Sequence, residues 1–264
     1  MITVFEHPLS PYAQKVKIAL REKDLAFEVA MPGGLGAGGA AGQFVDANPR
    51  AEVPALIDDE VAIFDSTIIL EYIEDNWPTP PLLPHGAAER ARVRMIEEVM
   101  DTHFEAVNWA MGEINWFRRA EGALADQLKA KAAEQTQGFY AWLGKQLGHR
   151  EWFNGAAFGW GDLCVAPFVG TAIGVGHRPE AGTALADWCE RAFARPSVAQ
   201  TIAESRAFDG ALTDVAGLVK QGLFKREYRD HRLEWMIKSG GTEVVLQGLE
   251  RGNIRFSPDF NPPL

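Results

Sequence analysis

The chain has 264 residues, with 36 acidic against 26 basic side chains and a formal net charge of −10. Its basic residues nowhere form more than the arginine scatter around Arg90–Arg94, so it lacks the concentrated positive face that nucleic acid or an anionic membrane demands. Apolar residues at 47% and charged residues at 23% fit a water-soluble globular chain long enough for two domains.

Two cysteines, Cys164 and Cys189, make no disulfide framework, and a reducing cytoplasm is the expected compartment. The opening MITVFEHPLS has neither the charged nor the long apolar region of a signal peptide. No stretch approaches the roughly 20 apolar residues of a membrane span.

Ile2–Glu6 alternates and predicts a first strand. The amphipathic spacing of Ala13–Arg21 predicts a helix, with Ser10 as cap or loop residue and Pro11 as first helical position. Leu25–Ala30 reads as a second strand. Met31–Phe44 is saturated with glycine and contains Gly34-Leu35-Gly36-Ala37-Gly38-Gly39, formally a dinucleotide fingerprint. That motif must open a helix, and each further glycine costs a helix about 1 kcal/mol, so a flexible loop is the expectation.

Ala51–Glu74 organises the rest. Val53 precedes Pro54 and is pushed into extended geometry, at a point where a cis peptide is plausible. Ala55–Ile57 and Val61–Phe64 read as a hairpin, and Asp65-Ser66 stands where the helix carrying Ile68, Ile69, Tyr72 and Ile73 needs a cap. A strand edge at Val53 beside a helix N-terminus at Ser66 suits a small extended ligand carrying a carboxylate.

The proline-rich Pro78–Gly86 reads as a linker. Beyond it the periodicity is helical: one long helix over Ala88–Arg119, another over Ala123–Leu147, a buried apolar one over Phe158–Gly174, and two short ones over Leu185–Phe193 and Pro196–Arg206. Lys225–Lys238 predicts a charged helix within a final portion, Gly210–Leu264, for which no motif is found. The domains are therefore expected at 1–77 and 87–209, with linker 78–86 and extension 210–264. The six histidines (His7, His85, His103, His149, His177, His231) are dispersed, so no metal is expected.

VPALID…FDSTIILEYIED resembles the second half of the glutathione-binding domain of cytosolic glutathione S-transferases, and FGWGDLCVAP resembles the start of that family's central helix. The resemblance covers about Met1–Arg206 and implies a thioredoxin-like α/β domain followed by an all-α domain, with glutathione as co-substrate and a homodimer as assembly. SPYAQKV matches the serine type, so Ser10 is the implied activating residue, with Tyr12 as rival hydroxyl. A thiol of pKa about 8.5 is mostly protonated at neutral pH, and lowering it by one to two pH units needs roughly 1.4–2.7 kcal/mol. A hydroxyl donated to the sulfur at a helix N-terminus can supply that.

By the same resemblance Val53, held by Pro54, offers its backbone to the cysteinyl unit. Asp65 and Ser66 take the γ-glutamyl end. Glu52 departs from the basic or amide residue common before Val-Pro and could repel a ligand carboxylate. Leu9, Tyr12, Asn108, Met111, Asn115, Trp116 and Phe117 are the expected wall for a small hydrophobic electrophile, aromatic or halogenated. Asp162 is expected to cap the central helix. The implied activity is transfer to glutathione, by conjugation, ether cleavage or dehalogenation. The alternative is a catalytically silent interaction module, which Glu52, the glycine loop and the extension favour.

Overall fold

Short apolar runs form four strands, each of four residues: β1 (Ile2–Phe5), β2 (Phe27–Ala30), β3 (Ala55–Asp58) and β4 (Val61–Phe64). The computed structural model describes residues 1–35, 39–209, 215–228 and 230–256. The sheet order is β2-β1-β3-β4, with β1 parallel to β2 and the other pairs antiparallel.

Helices α1 (Pro11–Glu22) and α3 (Ser66–Asn76) cover one face, where Val16, Leu20, Ile69 and Ile73 pack on Ile2, Val4 and Leu56. On the other face α2 (Gln43–Ala47) sets Phe44 and Ala47 against Phe5 and Ala55. This helix was not predicted, since five residues are too few to show a period. It replaces the end of the expected glycine loop, whose residues 36–38 lie outside the described ones.

The proline-rich segment after α3 carries no helix or strand but is pinned at both ends. Lys23 Nζ donates to the carbonyls of Trp77 and Pro80 at 2.5 and 2.8 Å. Glu74 accepts from the N–H groups of Leu82 and Leu83 and pairs with Lys23 at 2.8 Å.

The second domain contains α4 (Ala87–Val99), a π turn (Met100–Phe104), α5 (Glu105–Asn115), α6 (Gly122–Leu147), α7 (Trp160–Gly174), α8 (Ala184–Ala194) and α9 (Pro196–Asp209). The single helix expected over 88–119 is thus interrupted by the π turn and ends at Asn115. The central helix α7 is apolar all round, and Trp160, Leu163, Val165 and Phe168 are fully buried.

Asp162, in its first turn, accepts from the N–H groups of Phe153 (2.8 Å), Asn154 (3.3 Å) and Gly159 (3.1 Å) and from the Trp188 indole (2.8 Å). Its role is structural, as expected. Helix α1 joins the domains: Lys17 pairs with Glu6 and Glu204, Arg21 with Glu204, and Glu22 with Arg195.

The extension holds α10 (Val215–Lys220), α11 (His231–Lys238) and α12 (Thr242–Glu250). The charged helix expected from Lys225 starts at His231, because the Asp230 carboxylate caps it through the Leu233 N–H at 2.8 Å. Among the described residues no helix is long and apolar enough to cross a membrane.

Candidate active site

A cleft of about 880 Å³ opens between the two domains. One wall comes from the first domain and includes Asn48, Arg50, Glu52, Val53, Pro54, Asp65 and Ser66. Val53 precedes a cis bond to Pro54 and stands just outside β3. Its N–H and C=O make no backbone hydrogen bond among the described residues, leaving a short edge open to an extended ligand.

Asp65 is the N-cap of α3, with φ +75°, and its Oδ1 accepts from Thr67 N–H at 3.1 Å and Ile68 N–H at 3.4 Å. Ser66 is the first helical residue, and its N–H has no acceptor among the described residues. A partial positive charge and an available donor therefore coincide there.

Glu52 is neutralised rather than exposed as a repulsive charge. Its Oε2 lies 3.3 Å from Arg50 Nε, and its carbonyl accepts from Asn48 Nδ2 at 2.7 Å. Arg50 also reaches Asp65 at 3.7 Å and lies over the Phe64 ring. Arg50 thus sets a guanidinium between the carboxylates of Glu52 and Asp65 on this wall.

The floor is a buried charge network. The fully buried Lys15 places Nζ 2.6 Å from Glu97 Oε1 and 2.5 Å from Asp101 Oδ2. Burial disfavours its ammonium, but the two carboxylates outweigh this and hold its pKa above the ordinary lysine range. Glu97 also accepts from Thr67 Oγ1 at 2.8 Å and Trp160 Nε1 at 2.5 Å. Asp101, in the π turn, leaves Oδ1 buried without a partner. Burial pushes its carboxyl up to about 6, with Lys15 opposing and Glu97 reinforcing.

Ser10 caps α1, and its Oγ accepts from Ala13 N–H at 3.3 Å. The loop before it is fixed by Ser10 N–H to the His7 carbonyl (2.8 Å) and Gln14 Nε2 to the Pro8 carbonyl (2.8 Å). Ser10 and Leu9 are half-buried and do not line the cleft, whereas Tyr12 does. Tyr12 gives its phenolic proton to the Asp101 carbonyl at 2.6 Å.

Of the residues expected as an electrophile wall, only Tyr12 lines this cleft. Asn108 is buried and donates to the Phe168 carbonyl at 3.0 Å, and Met111 belongs to the core. Asn115, Trp116 and Phe117 lie at or past the end of α5, outside the cleft lining. On the second-domain side the cleft is lined by the neighbouring helix face, Glu98, Asp101, Thr102, Glu105, Ala106, Trp109 and Ala110.

The π turn gives the reason. Twelve residues of regular helix, from Glu97 to Trp109, drift by about 120° around the axis, and one extra residue in a turn returns about 100°. Residues spaced by four therefore stay on one face.

Arg226, Glu227, Tyr228 and His231 of the extension close the cleft's outer side. Sequence reading missed Arg50, Trp109, Arg226 and Tyr228. Only Trp109, a large aromatic opposite the buried face of Val107, Met111 and Ile114, left a local signal. Among the described residues no group of three or more His, Cys, Asp or Glu could hold a metal.

Two models of one family match the chain: the glutathione S-transferase N-terminal domain over residues 4–81 and its C-terminal domain over residues 115–191. A stringent starvation protein A homolog of Coxiella burnetii is 24% identical over 220 residues, 83% of this chain and 98% of that protein. The glutathione S-transferase GstB of Escherichia coli is 27% identical over 206 residues, 76% of this chain and 98% of that protein. A crystal structure of a glutathione S-transferase from Rhodospirillum rubrum superposes with a TM-score of 0.67 at 26% identity, covering 76% of this chain and 91% of that one.

Proposed function

Because the chain belongs to the glutathione S-transferase family by both of its domains, we propose that it binds glutathione in the interdomain cleft and activates the thiol with Ser10. The observation that carries this reading is the pairing of an open backbone edge at Val53 with a helix N-terminal donor at Ser66 on one wall. In this reading Val53 takes the cysteinyl unit, Ser66 the γ-glutamyl carboxylate and Asp65 the ammonium. Arg50 serves the glycyl carboxylate, and Pro54 holds the edge.

Ser10 suits the activating role better than Tyr12. Its Oγ only accepts within the protein, so its proton is available to a sulfur, whereas the Tyr12 proton is committed to Asp101. The hydroxyl and the N-terminus of α1 together favour the thiolate, and the thiol proton passes to water. The thiolate then forms a carbon–sulfur bond to a small electrophile as the carbon–leaving-group bond breaks. The protein acts in the cytoplasm as a homodimer in this reading, which light scattering tests.

A silent interaction module is the second reading. It draws on the position of Ser10 outside the cleft lining and on the relatives named stringent starvation protein A homolog.

Calorimetric titration with glutathione decides between them. Saturable binding that weakens in Ser66→Ala supports the site, and loss of thiolate absorbance in Ser10→Ala but not Tyr12→Phe supports the activator. Absence of binding at millimolar glutathione overturns the transferase reading.

A further inference from the structure

Strand β2 is the outer strand of the sheet, and no other strand among the described residues pairs with its free edge. The Ala30 carbonyl accepts from Glu6 N–H at 3.0 Å, which fixes the backbone phase of the strand. Backbone direction alternates along a strand, so Glu28 and Ala30 bond to β1 while Phe27 and Val29 turn N–H and C=O outward. Neither of these two residues has a backbone hydrogen-bond partner outside the sheet among the described residues.

The edge borders a hollow of about 810 Å³ that shares no lining residue with the interdomain cleft. Its apolar lining comes from Leu25, Phe27 and Val29 on one side and from Ala207 and Phe208 of α9 on the other. Phe208 is braced by the His7 ring, met edge-on at 4.8 Å. Side chains alternate as the backbone does. Phe27 packs toward α1, Val29 shares its face and is 52% exposed, and Glu28 stands on the opposite face.

The charges lining the hollow are already paired: Glu6 with Lys17, and Glu204 with Lys17 and Arg21. Two exposed charges at the edge are not. Asp24 just before the strand and Glu28 within it have no ion-pair partner among the described residues, and both are acidic. Pairing this edge with that of a second copy would bring Glu28 against Glu28 and one net charge of −10 against another, which like charges disfavour. An occupant of opposite charge suits it.

We propose that the β2 edge is a docking site for an extended basic peptide, added as a fifth strand through the outward backbone groups of Phe27 and Val29. Main-chain hydrogen bonds hold such a strand, and its alternate side chains select it. Apolar side chains of the peptide enter the hollow, and the intervening basic ones lie beside Glu28 on the other face.

The probe is the fluorescein-labelled, end-blocked peptide Lys-Val-Lys-Val-Lys-Val-Lys, titrated with the full chain at low salt and followed by fluorescence anisotropy. Wild type is expected to bind it saturably. Val29→Pro removes an N–H that faces away from β1, so the sheet is kept while the added strand loses a donor. It should bind at least about fivefold more weakly, and Glu28→Lys at least about threefold more weakly. The same peptide methylated on every backbone nitrogen should not bind.

No saturable binding by wild type, undiminished binding in either folded variant, or equal binding of the methylated peptide overturns the site. If Val29→Pro loses its near-ultraviolet dichroism, the methylated peptide on wild type decides. Sedimentation of wild type and Val29→Pro should coincide; a larger wild-type species would put a second copy on the edge and overturn the peptide.

Discussion

Replacing Lys15 by Met tests the charge network beneath the cleft. The substitution keeps most of the aliphatic stem and removes an ammonium that lies 2.6 Å from Glu97 and 2.5 Å from Asp101. Deleting one partner of a buried pair costs about 3–5 kcal/mol, because the remaining charge stays desolvated without compensation. Two carboxylates share this one ammonium, which argues for the upper half of that range. Thr67 and Trp160 still donate to Glu97, which keeps the loss from exceeding it. A loss of about 4 kcal/mol is a large part of the 5–15 kcal/mol typical of a folded domain.

The assay is equilibrium urea unfolding followed by tryptophan fluorescence at one fixed protein concentration, so that any association contributes equally. Lys15→Met combined with Glu97→Gln and Asp101→Asn removes the orphaned charges, and at least half of the lost stability should return. A loss below about 1 kcal/mol in the single variant refutes the reasoning. So does a triple variant no more stable than the single.

Three further outcomes follow from local geometry. The Asp101 carboxyl titrates near 6 when folded and near 3.8 when unfolded, so between these values the native state holds a proton that the unfolded state has released. Stability should therefore fall as pH rises through that window, by on the order of 2–3 kcal/mol, and unfolding midpoints of Asp101→Asn should lack that slope; an unchanged slope in the variant excludes the assignment.

At position 65, Ala removes the cap and meets a φ of +75°, costing about 1–2 kcal/mol in thermal or urea unfolding, whereas Asn keeps both cap and conformation. If Asp65 binds the ligand ammonium, both variants should weaken glutathione equally in calorimetry. At Gly159 a Cβ would overlap Asn154 Nδ2 and the Leu82 carbonyl oxygen, so Gly159→Ser should cost about 1–3 kcal/mol. Because Asn154 Oδ1 already serves the Gly161 N–H at 3.0 Å, adding Asn154→Ala should cost less than the sum of the two singles.

What the sequence disclosed is what local chemistry decides. Val53-Pro54 restricts two adjacent residues, Asp65 caps the helix that starts one residue later, and α7 shows itself by being apolar on every side. The resemblance rested on these same residues, and the two-domain fold followed from them. The glycine at 159 became intelligible only in three dimensions. Asn154, five residues earlier, performs the capping that a side chain at 159 would perform and occupies its space.

The missed parts of the cleft depend on two things that a local period cannot express. One is the π turn, which keeps Glu98, Thr102, Ala106 and Ala110 on one face, whereas an uninterrupted helix would carry them away from it. Asn108 and Met111, expected on the wall, are buried instead.

The other is pairing at a distance. Arg226 meets Glu113 across 113 residues, and Lys15 meets Glu97 across 82. Each half of such a pair reads alone as an ordinary surface charge. Trp109 illustrates the limit: it stands on the face opposite Val107, Met111 and Ile114, where a large aromatic needs a covering partner. That partner is a guanidinium and a phenol from an irregular segment with no period of its own. The inner wall of the cleft was thus legible because short-range backbone rules write it, and the outer wall was not, because charge and ring contacts between distant segments do.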